Sequence, residues 1–180
     1  ADWPLDYQEL EPFYCEAERI VGVAGPAENT VRPRSEAYPL PPHRLSYASS
    51  KIVEGTRKLG MRWEMNPIAT LSASYDGRPA CNYCANCSRG CPRSDKGSVD
   101  VTFIRKARAS GLCTIQSLCQ VLHIEAGDND RVTSVHYVDR SGTQHTVSGR
   151  VVIVACGAVE TPRLLLSSTH RHAPHGLANE

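Results

Sequence analysis

The sequence has 180 residues, of which 41% are hydrophobic and 22% charged, with a formal net charge of +1. That is enough chain for one globular domain with its own core, and an ordinary composition for it. The near-neutral balance excludes a large basic face for nucleic acid, and no apolar run reaches the length of a bilayer-spanning helix.

The first residues, Ala1-Asp2-Trp3-Pro4, are neither an initiator methionine nor a secretion signal. Residues 6–21 predict an amphipathic helix, with Leu10, Phe13, Tyr14, Ala17, Ile20 and Val21 near helical spacing. Asp6 with Glu9 forms a capping-box pattern at its start, and Gly22 and Gly25-Pro26 end it. Residues 26–45 are proline-rich and read as a surface loop. A second helix is expected over Tyr47–Leu59, closed by Gly60. Met61–Leu71 is expected to be extended, and Asp76-Gly77 marks a turn.

Beyond residue 96 the pattern changes. Val99–Ala109 reads as a helix ending at Gly111, and its Arg105, Lys106 and Arg108 read as a solvated basic face. Strands are expected at Thr114–Leu118, Val121–Glu125, Val132–Val138 and Thr143–Val147, with Asp139-Arg140-Ser141-Gly142 as a hairpin turn. The stretch from Arg150 to Ala155 is almost wholly apolar and predicts a strand buried on both faces, as in a parallel sheet. Gly157 follows, and a helix is expected to start near Thr161-Pro162. A strand turning through Ala155, Cys156, Gly157 and Ala158 into a helix suits a nucleotide, because small residues permit close approach and a helix N-terminus favours phosphate. The same unit also serves as plain architecture, and no G-x-G-x-x-G occurs in the chain.

Eight cysteines are present, and four of them fall in one loop as Cys81-x2-Cys84-x2-Cys87-x3-Cys91-Pro92. This spacing is the bacterial ferredoxin run, in which short intervals let one loop wrap its thiolates around an iron–sulfur cuboid. Four-cysteine zinc sites pair two separated C-x2-C knuckles, and a second knuckle is absent here. Disulfides would need adjacent bonds within one cramped loop. The cysteines taken alone leave two rivals open: a ferredoxin-like electron-transfer module and a structural zinc domain.

Gly157-Ala158-Val159-Glu160-Thr161-Pro162, followed by a leucine run and Ser167-Ser168, resembles the second motif of the glucose–methanol–choline (GMC) oxidoreductases. Asp2-Trp3-Pro4 with Tyr7, Leu10, Pro12, Tyr14 and Ala17-Glu18 resembles the family's helix after its flavin-covering segment, and His175–Asn179 the stretch before its substrate domain. The resemblance implies an α/β fold: part of a Rossmann-like FAD-binding domain over residues 98–180, preceded by a cap region over 1–97 that carries the cysteine loop at 80–96. It implies FAD as cofactor, with Val121 meeting the adenine through its main chain and Ala155, Cys156 and Gly157 near the phosphate and ribose. It implies oxidation of a CH–OH group of a sugar or alcohol.

The family's phosphate loop and catalytic histidine are missing from this stretch, and none of His43, His123, His136, His145, His170, His172 or His175 corresponds to that base. No catalytic residue is therefore assigned. Some bacterial relatives hold a [3Fe-4S] cluster at C-x5-C-x3-C, the spacing of Cys81, Cys87 and Cys91 with Cys84 left over. A [4Fe-4S] cluster and a metal-free loop both stay open. A cluster would pass single electrons to a cytochrome or quinone. Lys96-Gly97-Ser98 resembles the family's Ala-Lys-x-Ser segment, with Asp95 in place of the alanine. The resemblance is to bacterial proteins, for which periplasm and cytoplasm are both open.

Overall fold

The computed structural model describes residues 4–27, 33–129 and 131–179. Asp2, Trp3 and part of the proline-rich stretch lie outside the described residues. The chain divides into two compact units, one up to Thr114 and one from Ile115 onward. No helix among the described residues is long and apolar enough to cross a membrane.

The first unit contains α1 (Tyr7–Val21), α2 (Tyr47–Lys58), a π-helical turn (Asp100–Ile104) and α3 (Arg105–Ala109). The Asp6 side chain accepts from the Glu9 N–H while the Glu9 carboxylate accepts from the Asp6 N–H, so the expected capping box forms. Gly22 ends α1 in a left-handed conformation, its N–H bonded to the Glu18 carbonyl. The buried face of α1 holds the following loop: Ser35 donates from its N–H and hydroxyl to Glu11, and Arg34 pairs with Glu18 while lying over the Tyr38 ring. The small core of the unit is Ala24, Leu40 and Leu71, with Tyr75 packed on it. Single bridges rather than strands tie it together, Ala24 pairing with both Leu40 and Ile68. Asp76 and Gly77 both have positive φ, 50° and 72°, and let Tyr75 pair with Arg78 in a two-residue hairpin. The expected solvated basic face is partly engaged, because Arg105 and Lys106 bind the Asp76 carboxylate at 2.6 and 3.3 Å.

The second unit is an antiparallel meander of β1 (Gln120–Ala126), β2 (Val132–Val138) and β3 (Gln144–Val147), followed by α4 (Gly157–Ser167). Bulges at Val121/His123 and Glu125/Ala126 bend β1. Ile124 and Ala126 are its buried residues. Ser168, fully buried beyond the last turn of α4, accepts the Ile124 N–H at 2.9 Å and donates to the Leu164 carbonyl at 2.7 Å. The segment after α4 folds back, and the Leu177 N–H binds the Leu165 and Ser168 carbonyls. Gly176 makes that return feasible: its φ is +106°, and a Cβ there would stand 2.5 Å from the Leu166 Cα.

The mixed α/β class holds, but four expectations are corrected. The parallel sheet of a Rossmann-like domain is not formed among the described residues, whose one sheet is antiparallel. Residues 150–155 form no strand: the chain bends at 150 and 151, the rest is irregular, and Val151 is 79% and Ile153 85% exposed. A strand needs a neighbour, and no edge among the described residues bonds to this stretch. Thr114–Leu118 is likewise unpaired, and Leu118 breaks it with a φ of 59°. Finally, α4 starts at Gly157 and carries Pro162 in its interior. The proline does not open the helix; its missing N–H instead leaves the Ala158 carbonyl without an intrahelical partner.

Candidate functional site

The cysteine loop is clipped to the core at both ends. The Cys81 N–H binds the Leu71 carbonyl at 2.9 Å, and the Leu71 N–H binds the Asp95 carbonyl at 3.0 Å. Leu71, fully buried, thus anchors the loop where it leaves and where it returns. Between the clips the backbone turns sharply, with Tyr83, Ala85 and Ser94 at φ of 59°, 57° and 62°. The fold brings all four predicted cysteines, Cys81, Cys84, Cys87 and Cys91, to the wall of one cavity of about 350 Å³. His43 joins them, bonded to the Tyr83 hydroxyl at 3.0 Å and the Thr70 carbonyl at 2.8 Å. Lys96 donates to the Cys87 carbonyl at 2.8 Å, and the Cys91 thiol donates to Asp95 Oδ1 at 3.0 Å. Burial pushes the Cys81 thiol up; the Tyr83 N–H bonded to its sulfur works against that, and the Asp95 charge adds to it.

All four thiols are free. Among the described residues, no three His, Cys, Asp or Glu side chains are gathered closely enough to grip one metal ion as they stand. A tetrahedral zinc site would hold its sulfurs only about 3.8 Å apart. Thiolates suit zinc and an iron–sulfur cluster alike, and either would need these side chains drawn closer together than they stand. Asp95 Oδ2, buried on the same wall, has no hydrogen-bond partner but is ion-paired with Arg93 Nε at 3.5 Å.

The second predicted site lies in the other unit. Cys156 precedes α4 and has no side-chain capping bond; its own N–H is taken by the Thr161 hydroxyl. Ala155, Cys156, Gly157 and Ala158 are all exposed, Gly157 has φ +84°, and open space surrounds its missing Cβ. The first-turn acid, Glu160, is paired with Arg163 at 2.6 Å, which offsets its charge there. The helix start consequently presents free N–H groups, which fits a phosphate or ribose oxygen. Val121 sits on β1, half-buried, and pairs with Tyr137 of β2 on one side only. Among the described residues, the opposite edge of β1 carries the Ile124–Ser168 bond but no strand. Val121 and Gly157 share a unit, but α4 separates its own N-terminus from its Ser168 anchor by about 16 Å. A further cavity of about 340 Å³ lies among Ile124, Val152, Val154, Leu165, His170 and His172.

Asp95 and His43 are two polar cavity residues that spacing alone did not single out. His43 is far from the cysteines in sequence and carries no local signal. Asp95 had one: a charged residue stands where the resembled segment has alanine.

A model of the GMC oxidoreductase family matches residues 5–179. The fructose dehydrogenase large subunit of Gluconobacter japonicus is 33% identical over 181 residues, covering 99% of this chain and 33% of that protein. The 6'''-hydroxyparomomycin C oxidase of Streptomyces lividus is 31% identical over 179 residues, covering 98% of this chain and 33% of its own length. The 2-methyl-1,2-propanediol dehydrogenase of Mycolicibacterium austroafricanum is 29% identical over 180 residues, with 99% and 32% covered. The chain thus spans about a third of the length of these curated relatives. With nearly every residue inside the family match, the chain belongs to the GMC oxidoreductases.

Proposed function

We propose that this chain forms part of an FAD-dependent dehydrogenase that oxidises a CH–OH group of a sugar or alcohol to a carbonyl. The family match over residues 5–179 carries this reading. Relatives named for fructose, a propanediol and an aminoglycoside support hydroxyl-bearing substrates. When bound, FAD supplies the hydride acceptor.

The chain's own part is to bind and orient. The uncapped first turn of α4 offers its N–H groups to a phosphate or ribose oxygen. The open edge of β1 at Val121 offers main-chain groups to the adenine. Neither a phosphate-binding G-x-G-x-x-G nor a histidine matching the family's base lies within residues 1–180. Both are assigned to parts of the protein outside this stretch.

The C-x5-C-x3-C spacing of Cys81, Cys87 and Cys91 supports a second component, an iron–sulfur cluster held by these three residues. It would hand electrons singly to a cytochrome or quinone, making the protein a dehydrogenase rather than an oxygen-using oxidase.

The test is anaerobic purification of the full-length gene product. A flavin spectrum that bleaches on adding a sugar or alcohol is expected, with iron and acid-labile sulfide present. The substitution Gly157→Ala, which forces a side chain into φ +84°, should lower flavin occupancy several-fold. A colourless protein, or a flavin that no hydroxyl substrate reduces, would overturn the assignment. Zinc in place of iron would overturn the cluster alone.

A further inference from the structure

The neck of the cysteine loop holds two thiols beside one carboxylate. Leu71 makes both bonds of the neck, accepting the Cys81 N–H at its carbonyl and donating its own N–H to the Asp95 carbonyl. Cys81 and Asp95 are therefore held side by side by one buried residue. The Cys91 thiol donates to Asp95 Oδ1 at 3.0 Å, which brings a second sulfur to the same place. Electrostatics agree: burial pushes the Cys81 thiol up, and the charge of the nearby Asp95 adds to that. Both thiols are free and half-buried, and both line the cavity of the loop. The other two cysteines are placed differently. Cys84 is exposed between two residues of positive φ, Tyr83 and Ala85, and Cys87 is exposed with its carbonyl held by Lys96.

We propose that Cys81 and Cys91 are a redox pair that closes the neck of the loop with a reversible disulfide. The neck's own bonds suffice for this, with no bound group required; a disulfide and a thiolate-bound group would occupy these sulfurs in turn. The oxidant is a small disulfide of the glutathione class. One cysteine, as thiolate, attacks it, forms a mixed disulfide and releases one small thiol. The other thiolate attacks that mixed disulfide, forms the Cys81–Cys91 bond and releases the second small thiol. The two protons lost by the cysteines end on the two small thiols, and the two electrons reduce the small disulfide. A disulfide tolerates Cα separations of only about 4–7 Å, and the Leu71 and Asp95 bonds keep this pair together at the neck. Closure removes the S–H bond to Asp95 and leaves that buried carboxylate with Arg93 at 3.5 Å, a cost that keeps the disulfide reducible.

Peptide mapping of the full-length gene product tests this. The protein is purified with a reductant and a metal chelator, exchanged into oxidised glutathione, alkylated and cut with trypsin. Trypsin cuts after Arg62, Arg89 and Arg93 but not at Arg78-Pro79, so Cys91 lies alone in peptide 90–93 and the other three loop cysteines in peptide 63–89. Oxidised protein should yield these two peptides joined, with fragmentation placing the bond at Cys81, and Cys81 and Cys91 should escape alkylation. An excess of reduced glutathione should separate the two peptides. Cys84→Ser and Cys87→Ser should keep the link, whereas Cys81→Ser should leave peptide 90–93 free. A wild-type peptide 90–93 that is alkylated and free after oxidation, or joined to Cys84 or Cys87, refutes the pairing. A link that reduced glutathione does not open refutes its reversibility. The wild-type map decides even where a serine variant does not fold, and neither refutation touches the flavin or the cluster reading.

Discussion

At the scale of single residues, carboxylates do the local work of the chain. Asp139 organises the turn between β2 and β3: its Oδ1 accepts from the Ser141 N–H and hydroxyl and from the Thr143 N–H, and its Oδ2 meets His145 Nε2 at 2.8 Å. The Ser141 bond, then the His145 bond, hold its carboxyl well below the usual carboxylate range. A depressed folded-state value means that the ionised form is favoured by folding. The stabilisation is therefore complete above the ordinary carboxylate range and is lost as pH falls below it. Asp139→Ala should lower the melting temperature by a few degrees at neutral pH. The gap between variant and wild type should persist down to about pH 4 and shrink below it, in parallel thermal scans. A gap unchanged at pH 2 would show that the carboxylate's charge is not involved. The turn itself was legible from Asp139-Arg140-Ser141-Gly142, but the multiple bonds on one carboxylate were not. The bond to Oδ2 depends on where His145 lands across the hairpin.

At the scale of elements, legibility followed locality. The capping box fixed the start of α1, and period-two patterning with a turn signal found β1, β2 and β3. Those signals act between residues close in sequence. Residues 150–155 were misread because a strand is a relation between two segments, and apolar character states only a preference for burial. Pro162 misplaced the start of α4 because proline favours a first turn but is tolerated further in when the lost bond can be spared. The attachment of α4 to the sheet was equally invisible, since it passes through one hydroxyl 44 residues from its partner. It is testable nonetheless. Ser168→Ala leaves the buried Ile124 N–H without an acceptor, which costs about 1–3 kcal/mol. Urea denaturation should show a lower midpoint at unchanged slope. Equal midpoints would mean that water or a shifted carbonyl replaces the hydroxyl.

At the scale of the whole molecule, the cysteine site and the helix-start site differ in how complete they are. The four cysteines were legible as a group by spacing, and the first unit brings them to one cavity with partners drawn from its own core. The nucleotide-type element was legible by motif, but the second unit leaves it bare: Val151, Ile153 and Val159 are 79%, 85% and 77% exposed. An apolar run of this kind marks a surface meant to be covered, and the relatives are about three times the length of this chain. The 180-residue chain should therefore bind a hydrophobic dye and sediment as larger species when concentrated. Ile153→Glu introduces a charge on the most exposed of these side chains and touches no buried contact. It should reduce both dye fluorescence and self-association while leaving the melting temperature within about a degree, as surface substitutions do. If the substitution unfolds the unit instead, Ile153 is packed, and the segment is a strand after all. If dye binding is unchanged, the sticky surface lies elsewhere, with Leu112 of the first unit, 94% exposed, the next residue to replace.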